Sequence, residues 1–271
     1  MTDMIILIIL VIIVMLFLLA TQGRSGHSGL CALRGWNYAH RGLHGNGVPE
    51  NSMEAFRLAL EQGYGIELDI HLLKDGNLAV IHDSSLLRTA GVDIRVEELT
   101  LPELHNYRLE GTQETIPAFR DVLELFDGKA PLIVELKPEG NNYAALSQAA
   151  MDLLSAYRGV YCIESFDPRC VHWFTKNRPD VIRGQLAENF FKSKASKLPA
   201  VLKFVMTLNL LNFLTKPDFV AYRFGDRKNL SIGVCRKLWK MQGVTWTLRN
   251  QEDHRIAVAE NWIPIFEYYN P

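Results

Sequence analysis

Short apolar, β-branched runs alternate with longer helical patterns over most of this 271-residue chain. The apolar runs predict strands at 36–39, 65–70, 132–136, 160–164, 181–186, 219–222, 244–247 and 263–266. Helical patterns lie between them, for example at 52–62 and 143–157. Such alternation favours a parallel sheet with helical crossovers, and eight units in roughly 250 residues are typical of a TIM (β/α)8 barrel.

One apolar run breaks the alternation. Residues 78–82 follow the second predicted strand after only a Lys74-Asp75-Gly76 turn. Parallel neighbours need a crossover of about a dozen residues or more, so these two runs are predicted to form an antiparallel hairpin. The hairpin returns His82 to the mouth of the barrel, near Glu67 and Asp69.

The N-terminus carries an unbroken apolar run from Met4 to Ala20, long enough to span a bilayer as a helix. A cleaved signal peptide is the alternative. No Lys or Arg precedes the run, and Leu19-Ala20-Thr21-Gln22 is a poor cleavage site, so an uncleaved anchor is favoured.

We therefore divide the chain into a membrane anchor at 1–23, a short flexible linker at 24–32 (RSGHSG and the residues after it) and a barrel at 33–271. Basic residues follow the apolar run and none precedes it, which predicts a single-pass membrane protein with a cytoplasmic barrel. These residues are Arg24, Arg34 and Arg41.

The overall composition excludes some partners. The formal net charge of −1 gives no indication of nucleic-acid binding. The four cysteines form no CxxC pair and have no zinc spacing, so they are predicted to act as small apolar residues.

Two strands carry pairs of polar residues at their ends. Glu67 and Asp69 are two residues apart and therefore project to one face of their strand. Glu135 and Lys137 have the same spacing on the next parallel strand. Converging carboxylates without a nearby cysteine predict a site for a hard divalent cation, Mg²⁺ or Ca²⁺.

Two histidines stand at the ends of predicted strands. His40 follows the first strand and His82 follows the hairpin, and imidazoles beside acidic pairs are suited to an acid–base couple. Arg41 and Lys137 are suited to binding phosphate oxygens. This set indicates metal-assisted cleavage of a phosphodiester. For Glu50 and Asn51, at the start of the first helix, a structural role and a site role both remain open.

The polar clusters come in a fixed order along the first half of the chain. They are His40-Arg41-Gly42, Pro49-Glu50-Asn51-Ser52, Glu67-Leu68-Asp69, Lys74-Asp75-Gly76, Ile81-His82-Asp83 and Glu135-Leu136-Lys137. Six such motifs in order resemble the glycerophosphodiester phosphodiesterase family, and the resemblance extends to Trp246-Thr247.

The resemblance implies a distorted TIM barrel with a small insertion, here at about 86–115. It implies hydrolysis of glycerophosphodiesters to glycerol 3-phosphate and an alcohol. It assigns metal binding to Glu67, Asp69 and Glu135, acid–base catalysis to His40 and His82, and phosphate binding to Arg41 and Lys137. Glu267 stands where the family's last strand has an aspartate, and Arg249 interrupts the Trp-Thr segment, so recognition of the alcohol is left open.

Residues 192–216 combine five lysines with many apolar residues. A barrel helix that buries one face is the favoured interpretation. The alternative is a helix that rests at the headgroup region of a membrane.

Two other functions remain open. The first is a lysophospholipase D or sphingomyelinase D-like activity on the same barrel, with a lysophospholipid as substrate. The second is a non-catalytic, membrane-tethered module that binds phospholipid headgroups. The second is disfavoured because no histidine or metal carboxylate of the family pattern is missing.

Overall fold

The computed structural model describes residues 1–194 and 196–271, and Ala195, inside the 192–216 segment, lies outside the described residues. Eight parallel strands close into a barrel, because β1 pairs with both β2 and β9. The predicted TIM barrel is therefore confirmed. The strands are β1 (Tyr38–His40), β2 (Gly65–Leu72), β3 (Leu78–Val80), β4 (Leu132–Leu136), β5 (Tyr161–Ser165), β6 (Arg183–Ala187), β7 (Phe219–Arg223), β8 (Gln242–Leu248) and β9 (Trp262–Phe266).

The predicted hairpin is also confirmed. β3 is the additional strand, and it runs antiparallel to β2 with Ile70 opposite Val80 and Leu72 opposite Leu78. The strand ends at Val80 rather than at 82, although the backbone N–H of Ile81 still donates to the Asp69 carbonyl at 3.1 Å. The chain after β3 is thus held against the end of β2.

Helices connect the strands. They are α1 (Thr2–Ala20), α2 (Met53–Glu61), α3 (Leu87–Ala90), α4 (Phe119–Phe126), α5 (Tyr143–Leu154), α6 (Pro168–Asn177), α7 (Ala200–Thr207), α8 (Asn212–Thr215), α9 (Leu230–Gly233) and α10 (Gln251–Ala259). Ser52 is the N-cap of α2, since its hydroxyl accepts a hydrogen bond from the Ala55 N–H at 3.1 Å.

Alternate residues of each strand face the barrel interior, and their character changes along the strand. In β4, Ile133 belongs to an apolar interior core, whereas Glu135, one step nearer the carboxyl end, is buried among polar groups. Cys162 and Glu164 repeat this change in β5. The lower part of the barrel is therefore packed, and the polar groups gather at its carboxyl mouth.

The segment between β3 and α4 is the predicted insertion. It contains α3 and short 3₁₀ turns at Val96–Glu98 and Leu101–Asn106. Its apolar residues form a separate small core with Ala79 and Ile81, which ties the insertion to the hairpin.

Residues 24–32, predicted to be a flexible linker, pack against the barrel. The Arg24 guanidinium donates to both Asp218 oxygens at 2.6 and 2.7 Å, and Ser28–Leu33 forms a 3₁₀ helix. Leu30 and Leu33 are buried in the interior core, where they close the end of the barrel opposite the mouth. The Gly-Ser composition predicted flexibility, but the buried leucines and the ion pair outweigh it.

α1 makes contact with the barrel only at its last turn. Its side chains from Met4 to Leu16 are all exposed. The Thr21 carbonyl, which follows the helix, accepts a hydrogen bond from the Asn212 amide at 3.2 Å. An apolar helix of this length and composition satisfies the criterion for a membrane span.

The described residues of the 192–216 segment do not form one long helix. α7 and α8 are separated by Asn209, whose φ of 54° lies in the left-handed region and ends the helical path. The segment is the crossover from the carboxyl end of β6 to the amino end of β7, so it passes from the mouth to the opposite end of the barrel.

Candidate active site

Three carboxylates meet at the mouth of the barrel. Asp69 on β2 lies in register with Glu135 on β4, and Glu67 precedes Asp69 on the same face. One ligand atom from each of the three lies within 4.8 Å of those of the other two, and all three residues are buried. The predicted acidic cluster is therefore assembled as spacing and strand parity predicted.

Lys137 lies among these carboxylates. Its Nζ is 2.7 Å from Glu135 Oε1 and 3.1 Å from Asp69 Oδ1. Burial raises the pKa of Glu135 to about 7, against the opposing effect of Lys137. Burial also acts to raise the pKa of Asp69, but Lys137, His82 and Arg41 together hold it well below its usual range.

Several buried oxygens at the cluster have no hydrogen-bond donor. Asp69 Oδ1 and Glu135 Oε1 have only their ion pairs with Lys137, and no group in the described part of the chain meets them with hydrogen-bond geometry. Asn51 Oδ1 and Glu164 Oε2 also lack a hydrogen-bond donor there. Unpaired buried oxygens cost free energy, and oxygen ligands are what Mg²⁺ and Ca²⁺ prefer. The donor set therefore fits a hard divalent cation.

His40 is held by a carboxylate from the last strand. Its Nδ1 lies 2.7 Å from Glu267 Oε2, and its Nε2 lies 3.8 Å from Glu67 Oε2. Burial lowers the pKa of His40 to about 4, although the bond to Glu267 opposes this shift. The neutral ring donates from Nδ1 to Glu267, which leaves Nε2 as an acceptor facing the acidic cluster.

His82 has a similar arrangement. Its Nδ1 lies 2.6 Å from Asp83 Oδ1, and Arg88 pairs with the other oxygen of Asp83. Burial is the main cause that lowers the pKa of His82, and Lys137 adds to it. The neighbouring Ile81 N–H donates to the Asp69 carbonyl at 3.1 Å, so the backbone that carries His82 lies at the end of β2.

The His40-Arg41-Gly42 turn aims Arg41 at the cluster. The Arg41 backbone N–H donates to Glu67 Oε2 at 3.2 Å, and its Nε lies 3.4 Å from Asp69 Oδ2. Gly42 has a φ of 80°, and a Cβ there would lie 2.8 Å from the backbone carbon of Ala55. Only glycine fits at this position without strain.

Glu50 and Asn51, for which the sequence left a structural and a site role open, both contact residues of the site. The Asn51 amide donates to Asp69 Oδ2 at 2.9 Å. Glu50 accepts from Arg41 at 2.8 Å and from Arg88 at 2.6 and 2.9 Å. Because Arg88 also binds Asp83, a chain of ion pairs joins the turn at Arg41 to His82.

Two residues of the site were not predicted from the sequence. Glu164 lies directly beside Glu135 in the sheet register and is almost fully buried. The parity rule places it on the interior face, but a lone glutamate in an apolar run carries no motif. Glu267 was noted as a substitution for aspartate, and only the closure of β9 on β1 brings it to His40.

The side of the mouth opposite β2 is lined by aromatic and charged groups. The rings of Phe166 and Trp246 meet edge to face with centroids 5.6 Å apart, and Lys137 Nζ lies 5.9 Å from the Phe166 ring centre. Arg223 pairs with Glu188 at 2.9 Å.

Residues 40–265 match the Glycerophosphoryl diester phosphodiesterase family, which covers most of the chain. The chain is 42% identical over 113 residues to a glycerophosphodiester phosphodiesterase of Bacillus altitudinis, a match that covers 39% of this chain and 46% of the relative. It is 30% identical to a putative glycerophosphodiester phosphodiesterase of Bacillus subtilis over 79% of this chain and 86% of the relative. It is also 33% identical to a lysophospholipase D of Rattus norvegicus, over 44% of this chain and 41% of that protein.

The chain spans about half the length of the first curated relatives that it matches, 46% and 52% for two of them. Among solved structures, an Oleispira antarctica phosphodiesterase in complex with the product sn-glycerol-3-phosphate superposes with a TM-score of 0.72. That match covers 90% of this chain and 95% of the other at 20% identity, and it shows the shared fold. With the family pattern extending from His40 to the last strand, the protein belongs to the glycerophosphoryl diester phosphodiesterase family, as its motifs predicted.

Proposed function

We propose that this protein hydrolyses glycerophosphodiesters to glycerol 3-phosphate and an alcohol. The observation that carries the proposal is the pair of carboxylate-held histidines beside one buried acidic cluster, with Arg41 and Lys137 against the same carboxylates. Two imidazoles of this kind supply both the proton acceptor and the proton donor that a phosphodiester cleavage needs.

Glu67, Asp69 and Glu135 would hold the divalent cation, which we propose to be Mg²⁺ or Ca²⁺. The ion, when bound, polarises the phosphate and neutralises its charge. Arg41 and Lys137 bind the non-bridging oxygens and stabilise the negative charge that builds up on them. Lys137 carries its charge throughout, because Asp69 and Glu135 outweigh the effect of burial and raise its pKa.

The histidines divide the proton transfers between them. Glu267 fixes the tautomer of His40, so Nε2 accepts the proton of the attacking hydroxyl. Asp83 holds His82 by Nδ1 as well, but His82 enters this step as the imidazolium, with one proton shared with Asp83 and the other, on Nε2, given to the leaving alkoxide. In the opposite assignment His82 is the base and His40 is the acid. A substrate whose leaving group has a low pKa distinguishes the two assignments, because its cleavage needs only the histidine that acts as the base.

We further propose that α1 anchors the enzyme in a membrane as a single span, with the barrel at 33–271 in the cytoplasm. Its exposed apolar surface supports anchoring, and Arg24 and Arg34 after the helix support the orientation. Protease accessibility of a tag placed after Pro271 tests the orientation. We expect the protease to cleave the tag only in permeabilised cells. Cleavage in intact cells would reverse the orientation.

A lysophospholipid substrate is the second candidate function, with lysophospholipase D as the activity. The apolar edge formed by Phe166 and Trp246 at the mouth favours it over a purely polar substrate. Similarity to a lysophospholipase D of Rattus norvegicus supports it as well.

A turnover assay tests both candidates. The purified full chain in detergent is incubated with glycerophosphocholine or lysophosphatidylcholine, with Mg²⁺, with Ca²⁺ or with EDTA. Release of choline from either substrate, dependent on the cation, is the expected result. His40→Gln should reduce kcat by about 10²–10⁴-fold, the usual contribution of general acid–base catalysis. Headgroup binding without turnover in every condition would instead support the non-catalytic module.

A further inference from the structure

The crossover between β6 and β7 exposes an unusual amount of apolar surface. Val201 is 73% exposed and Phe204 is 53% exposed on α7, with Phe191 at 57% in the loop before it. Phe213 and Leu214 on α8 are exposed as well. Soluble domains rarely leave an apolar patch of this extent in water, so this face is expected to be covered.

The charge of the same segment is one-sided. Residues 191–216 contain five lysines and no Asp or Glu, whereas the whole chain has a net charge of −1. Lys194 and Lys197 are exposed beside the apolar residues. A basic, apolar surface complements an anionic bilayer, because the lysines meet the headgroups and the apolar side chains enter the boundary below them.

The lower end of this face adjoins the apolar N-terminal helix. Asn212 at the start of α8 donates to the Thr21 carbonyl at 3.2 Å, and Lys216 Nζ lies 3.5 Å from Gln22 Oε1. Thr21 directly follows α1, which ends at Ala20. A membrane that holds α1 therefore lies next to α8.

The upper end of the face reaches the mouth of the barrel. Phe190, at the start of the crossover, packs on Phe166 with ring centroids 6.1 Å apart, and Lys192 pairs with Asp226 at 3.0 Å. Phe191 follows directly and points into solvent. The exposed apolar surface thus extends from the anchor to the rim of the candidate active site.

We propose that the described part of the β6–β7 crossover, residues 191–194 and 196–214, lies on the surface of an anionic phospholipid bilayer and brings the rim of the active site to it. The barrel then rests on its side, and a lysophospholipid reaches the mouth past Phe191 and Phe190 without crossing water. This proposal rests on the proposed phosphodiesterase function only for its choice of substrate.

Site-directed fluorescence tests the contact itself. Val201→Cys in a Cys31→Ser background is labelled with an environment-sensitive fluorophore, and the full chain is reconstituted into phosphatidylcholine vesicles that contain phosphatidylglycerol. Cys31 is replaced because it is the exposed native thiol, and Val258→Cys on α10, 51% exposed, is the matched control. We expect a lipid carrying a shallow spin label to quench the label at 201 and not at 258. Equal quenching at both positions, or none at 201, would overturn the proposal.

Activity supplies the second readout. Val201→Glu combined with Phe204→Glu should reduce kcat/KM for lysophosphatidylcholine in vesicles roughly tenfold, and leave that for dissolved glycerophosphocholine within about twofold. Val258→Glu is the control. Unchanged turnover of both substrates would refute the proposal. If the wild-type protein turned over neither substrate, the proposed function would be refuted, while the quenching result would still test the membrane contact.

A second copy of the chain is the other possible occupant of this face. Oxidation of the unlabelled Val201→Cys protein in the same vesicles would then give a disulfide-linked dimer, and the label would be shielded from the spin-labelled lipid. That combination would contradict the membrane contact. A monomer with a quenched label supports it.

Discussion

Replacing Glu267 by glutamine tests whether this carboxylate positions His40 for catalysis. Glu267 Oε2 accepts the Nδ1 proton of His40 at 2.7 Å, and Oε1 is paired with Arg249. Glutamine has almost the same size and keeps an oxygen, but it has no charge. Its amide can also turn its NH₂ group toward His40, which would favour the wrong tautomer.

The size of the effect follows from the hydrogen bond that is lost. A charge-assisted hydrogen bond contributes about 1.5–3 kcal/mol, and each 1.4 kcal/mol is about a factor of ten. Glu267→Gln should therefore reduce kcat by roughly 10- to 150-fold. KM should change by less than about twofold, because Glu267 is not among the groups placed on the phosphate.

The assay is steady-state release of choline from glycerophosphocholine, with a thermal melt of each variant. Arg249→Gln is the matched control: it removes the ion-pair partner of Glu267 Oε1 and leaves His40 and His44 beside Oε2, and the Arg249 side chain is 62% exposed. The arginine of this ion pair lies largely in solvent, so its contribution should be about 1 kcal/mol or less and kcat should fall less than about fivefold. An unchanged kcat in Glu267→Gln, or an equal fall in both variants, would refute the positioning role of Glu267.

Three other perturbations have definite expected outcomes. Removal of divalent ions with EDTA should abolish turnover and addition of Mg²⁺ or Ca²⁺ should restore it, so full activity of ion-free protein would exclude the metal site. Glu164→Gln should weaken cation binding in calorimetry by about 10–100-fold, the range seen for groups around metal ligands. Glu164 lies next to Glu135 in the sheet, and its buried Oε2 has no hydrogen-bond partner among the described residues. An unchanged Kd would remove Glu164 from the site. Gly42→Ala should lower the free energy of unfolding in urea by more than Gly47→Ala does. Both positions have positive φ, which costs about 1–2 kcal/mol, but only the Cβ at 42 meets neighbouring backbone; equal losses would show that the contact is harmless.

Much of the site could be predicted because it depends on local rules. Strand parity put Glu67 and Asp69 on one face, and the short turn before Leu78 required the hairpin that brings back His82. These inferences use spacing within a few residues, and the closed barrel then sets the distances between strands.

What could not be predicted depends on contacts between distant parts of the chain. Glu267 meets His40 across 227 residues, and Arg24 meets Asp218 across 194. The Gly-Ser composition of 24–32 predicted a flexible linker. It could not show that Leu30, and Leu33 just after it, are buried in the barrel interior, because that interior is built from strands far along the chain. The interruption at Asn209 is a backbone conformation that apolar periodicity does not reveal.

The closed lower end of the barrel has a consequence for assembly. Leu30 and Leu33 are among the first barrel residues to be synthesised, yet they pack with Val244 and Ile263 near the other end of the chain. β1 also needs β9 as a neighbour. An N-terminal helix that enters a bilayer early would hold this segment at the membrane while the later strands are still being made. Such long-range closure is expected to make folding slow, so the partly made barrel would spend that time with its interior open, beside the membrane.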